Sequence, residues 1–273
     1  MSNRPDTRTE DLLASLDAGV LTLTLNRPAA RNAMSEAMNR ALAEQLAWAE
    51  LDPAVKCVVL TGSGKGFCAG GDVKGMAARN AGSDGTTRDE AIHRQRVNQR
   101  ETSGRLFKMP KPTLAALPGA AAGAGLGWAL ACDLRIMART AVLTTAFARV
   151  GFSGDYGGTY FLTQLVGSAK ARELYYLSER VTADEALKLG LTNWVCEPEE
   201  LAAFTREIAG RLAKGPSVAY RYMKENLNRA MGGDVDECLD MEVTHHTHCT
   251  STDDWREAVR AFVEKREPVF HGR

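Results

Sequence analysis

Three short runs, Cys57-Val-Val-Leu60, Thr113-Leu-Ala-Ala-Leu117 and Leu134-Arg-Ile-Met-Ala138, are almost continuously apolar. A strand covered on both faces reads this way, and such strands belong to parallel sheets roofed by helices. Helical stretches lie around them. Ser35 to about Asp52 carries Met38, Leu42, Leu46 and Ala49 along one side and meets Pro53 at its end. Arg88 to Lys108 reads as a basic helical segment, and the small residues of Gly119–Asp133 lead into another helix. Upstream, Val20–Leu25 alternates apolar residues with Thr, as a strand with one drier face does, before the turn Asn26-Arg27-Pro28. Strand and helix thus alternate every several dozen residues, which predicts an α/β fold of ββα or βαβ turns. After about residue 165 the strands largely stop. Thr182-x-x-Glu185 is a capping box for a helix ending near Gly190, and Leu191–Cys196 reads as a last strand. From Glu199 to Lys265 only helices are expected, broken at Gly215-Pro216 and Gly232-Gly233. The expected division is a core over 1–200 and a helical region over 201–273.

The formal net charge of the 273 residues is zero, so neither nucleic acid nor an anionic membrane is the expected partner. No apolar run approaches the length of a membrane span. Six cysteines are scattered without a CxxC pair, which suits a reducing, cytoplasmic setting. The polar start MSNRPDTRTEDL does not read as a signal peptide.

Several motifs fail on inspection. In GSGKGFCAGGDV (62–73) the residue after Lys65 is Gly66, and Val59 stands where a P-loop needs its first glycine. Gly123-Ala-Gly125-Leu-Gly127 has G-x-G-x-G spacing instead of the dinucleotide G-x-G-x-x-G. GxSxG is absent. His245 and Cys249 are one helical turn apart, but no second pair has ligand spacing, so no metal is expected. The arginines of 88–108 read as a solvated helix face, with a role near an anionic ligand as the alternative. Two glycine-rich loops remain, 62–73 and 122–125, each just after a buried strand. The second opens a helix whose first N–H groups are unpaired and partly positive. Side by side, the loops could aim two N–H donors at one oxygen, as an oxyanion hole does. Alternatively, their small residues simply let helices pack closely on strands.

Six segments in order resemble the crotonase, or enoyl-CoA hydratase/isomerase, superfamily: LTLNRPAARNAMS (21–35), GFCAGGDVKGM (66–76), KPTLAALPGAAAGAGLGWALACDLRIMA (111–138), GDYGGTYFLTQLVG (154–167), ADEALKLGLTNWV (183–195) and FVEKREPVF (262–270). The resemblance implies a spiral of ββα units with a C-terminal helical region, assembled as a homotrimer or a dimer of trimers. It implies an acyl-CoA substrate, with coenzyme A part of that substrate and no separate cofactor. It places one oxyanion N–H on Gly71 and the other on Ala124. Arg27, Ala69, Gly70, Asp72, Lys74, Gly123, Phe262 and Lys265 then fall at or near the coenzyme, the last two often from a neighbouring subunit.

The departures are as informative. Hydratases of the usual type carry two glutamates; their positions here are Gly127 and Phe147. One acid remains nearby, Asp155, placed like the proton carrier of dienoyl-CoA isomerases and of the ring-epoxide isomerase of phenylacetate breakdown. Aryl-CoA dehalogenases also use this aspartate, but with a histidine where Arg100 stands. Moving a double bond needs only one carboxylate, which takes a proton from C2 and returns it to C4. Trp128, Phe147, Phe152 and Tyr156 are expected to wall the acyl pocket and raise the Asp155 pKa by burial. The expected activity is therefore enoyl-CoA isomerisation, with hydration or non-catalytic thioester binding as alternatives. Asp155 could also serve merely as a turn residue capping the following helix.

Overall fold

The computed structural model describes residues 6–72 and 85–273. Its main sheet has six strands in the order β1-β2-β3-β5-β7-β10: β1 (Leu12–Asp17), β2 (Val20–Leu25), β3 (Cys57–Gly62), β5 (Thr113–Leu117), β7 (Leu134–Ala138) and β10 (Trp194–Cys196). Only the β1–β2 hairpin is antiparallel; β2, β3, β5, β7 and β10 run parallel. The three apolar runs are thus the central strands, and every residue of β5 is buried. Arg135, the charge within β7, is buried with Nε donating to the Leu191 carbonyl at 2.8 Å and Nη1 to the Cys132 carbonyl at 2.6 Å.

A second sheet has the order β4-β6-β8-β9, from β4 (Gly66–Cys68), β6 (Ala120–Ala122), β8 (Val142–Thr144) and β9 (Val181–Thr182). Three times in succession the chain gives one strand to the main sheet and the next to the small one. This is the ββα spiral. Strands of three residues are too short to carry a hydrophobic period, so sequence pattern misses them.

Among the described residues the α-helices are α1 (Glu36–Leu51), α2 (Arg88–Gln99), α3 (Arg105–Lys108), α4 (Ala124–Ala131), α5 (Gly158–Leu177), α6 (Ala183–Lys188), α7 (Leu201–Ala213), α8 (Ser217–Ala230), α9 (Val235–Cys249) and α10 (Asp253–Glu264). α1 begins at a Ser35 cap and buries Met38, Leu42, Leu46 and Ala49 against the core. α4 is buried on every side, as a helix without a polar face must be. The basic segment 88–108 is one helical run interrupted by a π turn at Arg100–Gly104. There the buried Thr102 hydroxyl donates to the Asn98 carbonyl at 2.7 Å, and that of Ser103 to Gln99 at 3.1 Å.

Of the C-terminal helices, α7 packs on β2, β3, β5 and β7. α8 is tied down by Lys224, whose buried ammonium donates to Asp133 at 2.9 Å and to the carbonyls of Leu106 (2.9 Å) and Lys111 (3.2 Å).

Candidate active site

The first glycine-rich loop leaves β4 at Ala69. It is buttressed by residues 27–34: Ala69 N–H donates to the Arg31 carbonyl at 3.0 Å, and Met34 N–H to the Gly70 carbonyl at 2.8 Å. Arg27 clamps both sides, donating to the Ala33 carbonyl at 2.6 Å and to Asp72 at 3.3 Å, with Asp11 at 3.7 Å. Arg27 and Asp72 therefore engage each other and brace the loop. Among the described residues, the Gly71 N–H has no hydrogen-bond acceptor.

The second loop leaves β6 and enters α4. Gly123 N–H is used, donating to the Thr144 carbonyl at 3.1 Å. Ala124 is the first helical residue, and its N–H likewise has no acceptor among the described residues. The two loops touch. A Cβ on Gly70 would lie 2.8 Å from the Ala122 carbonyl oxygen and 3.3 Å from the Ala124 nitrogen. Close packing by the small residues is visible here, because a Cβ on Gly125 would fall 2.6 Å from the Cys68 side chain. Gly125 thus serves close packing, while Gly70 lets one loop approach the free amide of the other. The buried Cys68 thiol is pushed up to about 12, so it stays protonated and is no nucleophile.

Asp155 lies on the turn before α5. Its Oδ1 accepts the Tyr156 N–H at 2.9 Å. Gln95, reaching over from α2, donates its Nε2 to Oδ1 at 3.2 Å and to Oδ2 at 2.9 Å. Burial raises the Asp155 pKa, and these hydrogen bonds oppose the rise. Tyr156 sits at φ 49°, a left-handed conformation costly for a bulky residue. Gln95 is absent from the sequence reading, and its helix was read as a solvated face. Arg100, the position compared with a catalytic histidine, is exposed at the end of α2.

Gly127 explains the missing carboxylate sterically. A Cβ there would meet the Tyr156 carbonyl oxygen at 2.9 Å, Tyr156 Cβ at 3.0 Å and the Asp155 carbonyl oxygen at 3.3 Å. A side chain at 127 and this placement of Asp155 exclude one another. Gly127→Ala is expected to cost about 1–3 kcal/mol by overpacking, read as a lower urea midpoint. It should also lower turnover, because relief requires the Asp155–Tyr156 turn to move.

The aromatic residues divide. Phe147 is buried and stacks on Tyr175, centroids 5.8 Å apart, with a Cβ on Gly123 only 3.7 Å from its ring. Tyr156 is buried edge-on to Trp128 at 5.6 Å. Trp128 is 0% exposed within the all-buried α4. Phe152 is 53% exposed beyond the turn closed by its N–H on the Phe147 carbonyl. Lys74 lies outside the described residues. Phe262 is 85% exposed on α10, and Lys265 closes that helix in a left-handed conformation, so the single chain does not pack either against the loops. His245 stacks on Tyr222, with Nδ1 2.6 Å from Asn226 and Nε2 3.4 Å from Glu225. It lines a groove of about 610 Å³ with α8 and α9 residues that includes none of the loop residues.

Two adjacent loops with free amides, a ββα spiral and a match of the enoyl-CoA hydratase/isomerase family model over residues 15–273 agree. The chain belongs to the enoyl-CoA hydratase/isomerase family. It is 37% identical over 264 residues to the 1,2-epoxyphenylacetyl-CoA isomerase of Escherichia coli K12, covering 97% of this chain and 99% of that one. It is 34% identical to the short-chain-enoyl-CoA hydratase of Clostridium acetobutylicum, covering 94% and 96%. An enoyl-CoA hydratase structure from Polaromonas sp. JS666 superposes with a TM-score of 0.88 at 32% identity, covering 95% and 99%. Relatives of this family member thus bear isomerase and hydratase names alike.

Proposed function

We propose that this family member is an isomerase that shifts a double bond in an unsaturated acyl-CoA, with Asp155 as its proton carrier. One observation carries the reading. Glycine and phenylalanine occupy 127 and 147, and Asp155 stands braced and partly buried against the 127 backbone. The thioester oxygen sits between the Gly71 and Ala124 amides, where the charge of the enolate is stabilised as it develops. That stabilisation acidifies C2–H. Asp155 takes the proton, and the resulting carboxylic acid returns it to C4. The raised pKa of a partly buried carboxylate suits both halves of this exchange. Ala69, Gly70 and Gly123 shape the approach to the amides, and the Arg27–Asp72 pair holds the first loop in place. Lys74, Phe262 and Lys265 are assigned to coenzyme A itself.

The test uses the wild-type protein with a 3-enoyl-CoA and a 2-enoyl-CoA in turn, following products by proton NMR and mass. Interconversion of the two at unchanged mass is the expected result. Conversion of the 2-enoyl-CoA to a product heavier by one water, without interconversion, would replace this reading with hydration. Binding of both thioesters without turnover would leave a binding subunit.

A further inference from the structure

We propose that Gln95 is the positioning residue for Asp155, a bridging donor that holds the carboxylate in place while a proton arrives and leaves. This rests on Asp155 being the proton carrier. The geometry has three parts. Asp155 Oδ1 is doubly engaged, by the Tyr156 N–H at 2.9 Å and by Gln95 at 3.2 Å. Among the described residues, Oδ2 accepts only from Gln95, at 2.9 Å. Oδ2 is therefore the oxygen with capacity left for a proton. A single Nε2 lies within reach of both oxygens. When Oδ2 becomes O–H, the amide keeps an acceptor by leaning on Oδ1, and the carboxyl group does not turn. A point cation could not serve as well, since it would hold the carboxylate ionised too strongly to release the proton again.

The surroundings leave this role to Gln95. α2 buries none of its residues, so it supplies no packing that would fix the turn at 155. Among the described residues, the ionisable groups coupled to Asp155 are Tyr156 and Tyr175, whose hydroxyls burial keeps protonated, and Tyr175 is pushed up to about 12. Beside Gln95 on α2, His93, Arg94 and Arg96 are exposed. From α4, Gly127 offers no side chain at all.

Gln95→Met keeps length and removes the donor. Losing a hydrogen bond to the charged form moves the acidic limb of kcat/KM to higher pH, by about one to two pH units. Activity should recover substantially above the new limb, which a merely damaged fold would not allow. Gln95→Glu, of the same shape, sets a like charge beside Asp155 and should move the limb further in the same direction. Should Gln95→Met fail to fold, the Gln95→Glu profile decides alone. A uniform loss at every pH with the limb unmoved would overturn the proposal. Asp155→Asn, measured alongside, separates the two readings. If it stays active, the proton-carrier reading itself has failed; if it is inactive while the Gln95 variants keep the wild-type limb, only the role of Gln95 has.

Discussion

Asp155→Asn is expected to lower kcat for double-bond migration by about 10²–10⁴-fold, with acyl-CoA affinity changed by no more than a few fold. The substitution is nearly isosteric. The Tyr156 N–H can still find an oxygen at the position of Oδ1, and Gln95 can present its own carbonyl to the new amide by a rotation of its terminal group. The fold and the two glycine-rich loops should therefore be untouched, and unfolding midpoints should agree with wild type. What is lost is the capacity to accept a proton. Positions 127 and 147 supply no substitute carboxylate, since they carry glycine and phenylalanine. Proton loss from C2 followed in deuterated water gives the sharper readout. If the variant still exchanges that hydrogen at the wild-type rate, Asp155 is a turn residue and nothing more.

Ala124→Pro should cost about 10²–10³-fold in turnover while the chain still folds. Proline removes the N–H and fixes a helical φ, and the first position of a helix tolerates it because that N–H has no helical partner. Ala124 occupies that position, and its amide has no acceptor among the described residues. The measurement is kcat beside circular dichroism and a melting curve. Activity within threefold of wild type in a folded variant would show that this amide stabilises no charge. The neighbouring Gly71 offers no such clean substitution, since it sits between Gly70, which admits no side chain, and the Asp72 that Arg27 clamps.

Much of the scaffold was legible because its central strands are buried on both faces, which leaves runs such as Thr113–Leu117 without a polar interruption. The glycine-rich loops were legible for a related reason: Gly70 and Gly125 stand where another backbone or side chain fills the space of a Cβ. The second sheet was not, because β4, β6 and β8 have three residues each and are defined by pairing across 20 or more residues of chain. Gln95 left no trace in the pattern. It lies in a helix with no apolar stripe, and its partner is 60 residues away. Only the tertiary fold brings that amide to that carboxylate.

The π turn at Arg100–Gly104 now acquires a purpose. One surplus residue in a helical run shifts the azimuth of everything upstream by about 100°. The bearing of Gln95 on α2 is thus set a turn and a half downstream, at a widening where the Thr102 and Ser103 hydroxyls donate to the Asn98 and Gln99 carbonyls. Transplanting the aspartate and the glutamine onto a helix without that widening would not be enough. Without the surplus residue the amide would arrive out of phase, turned toward water.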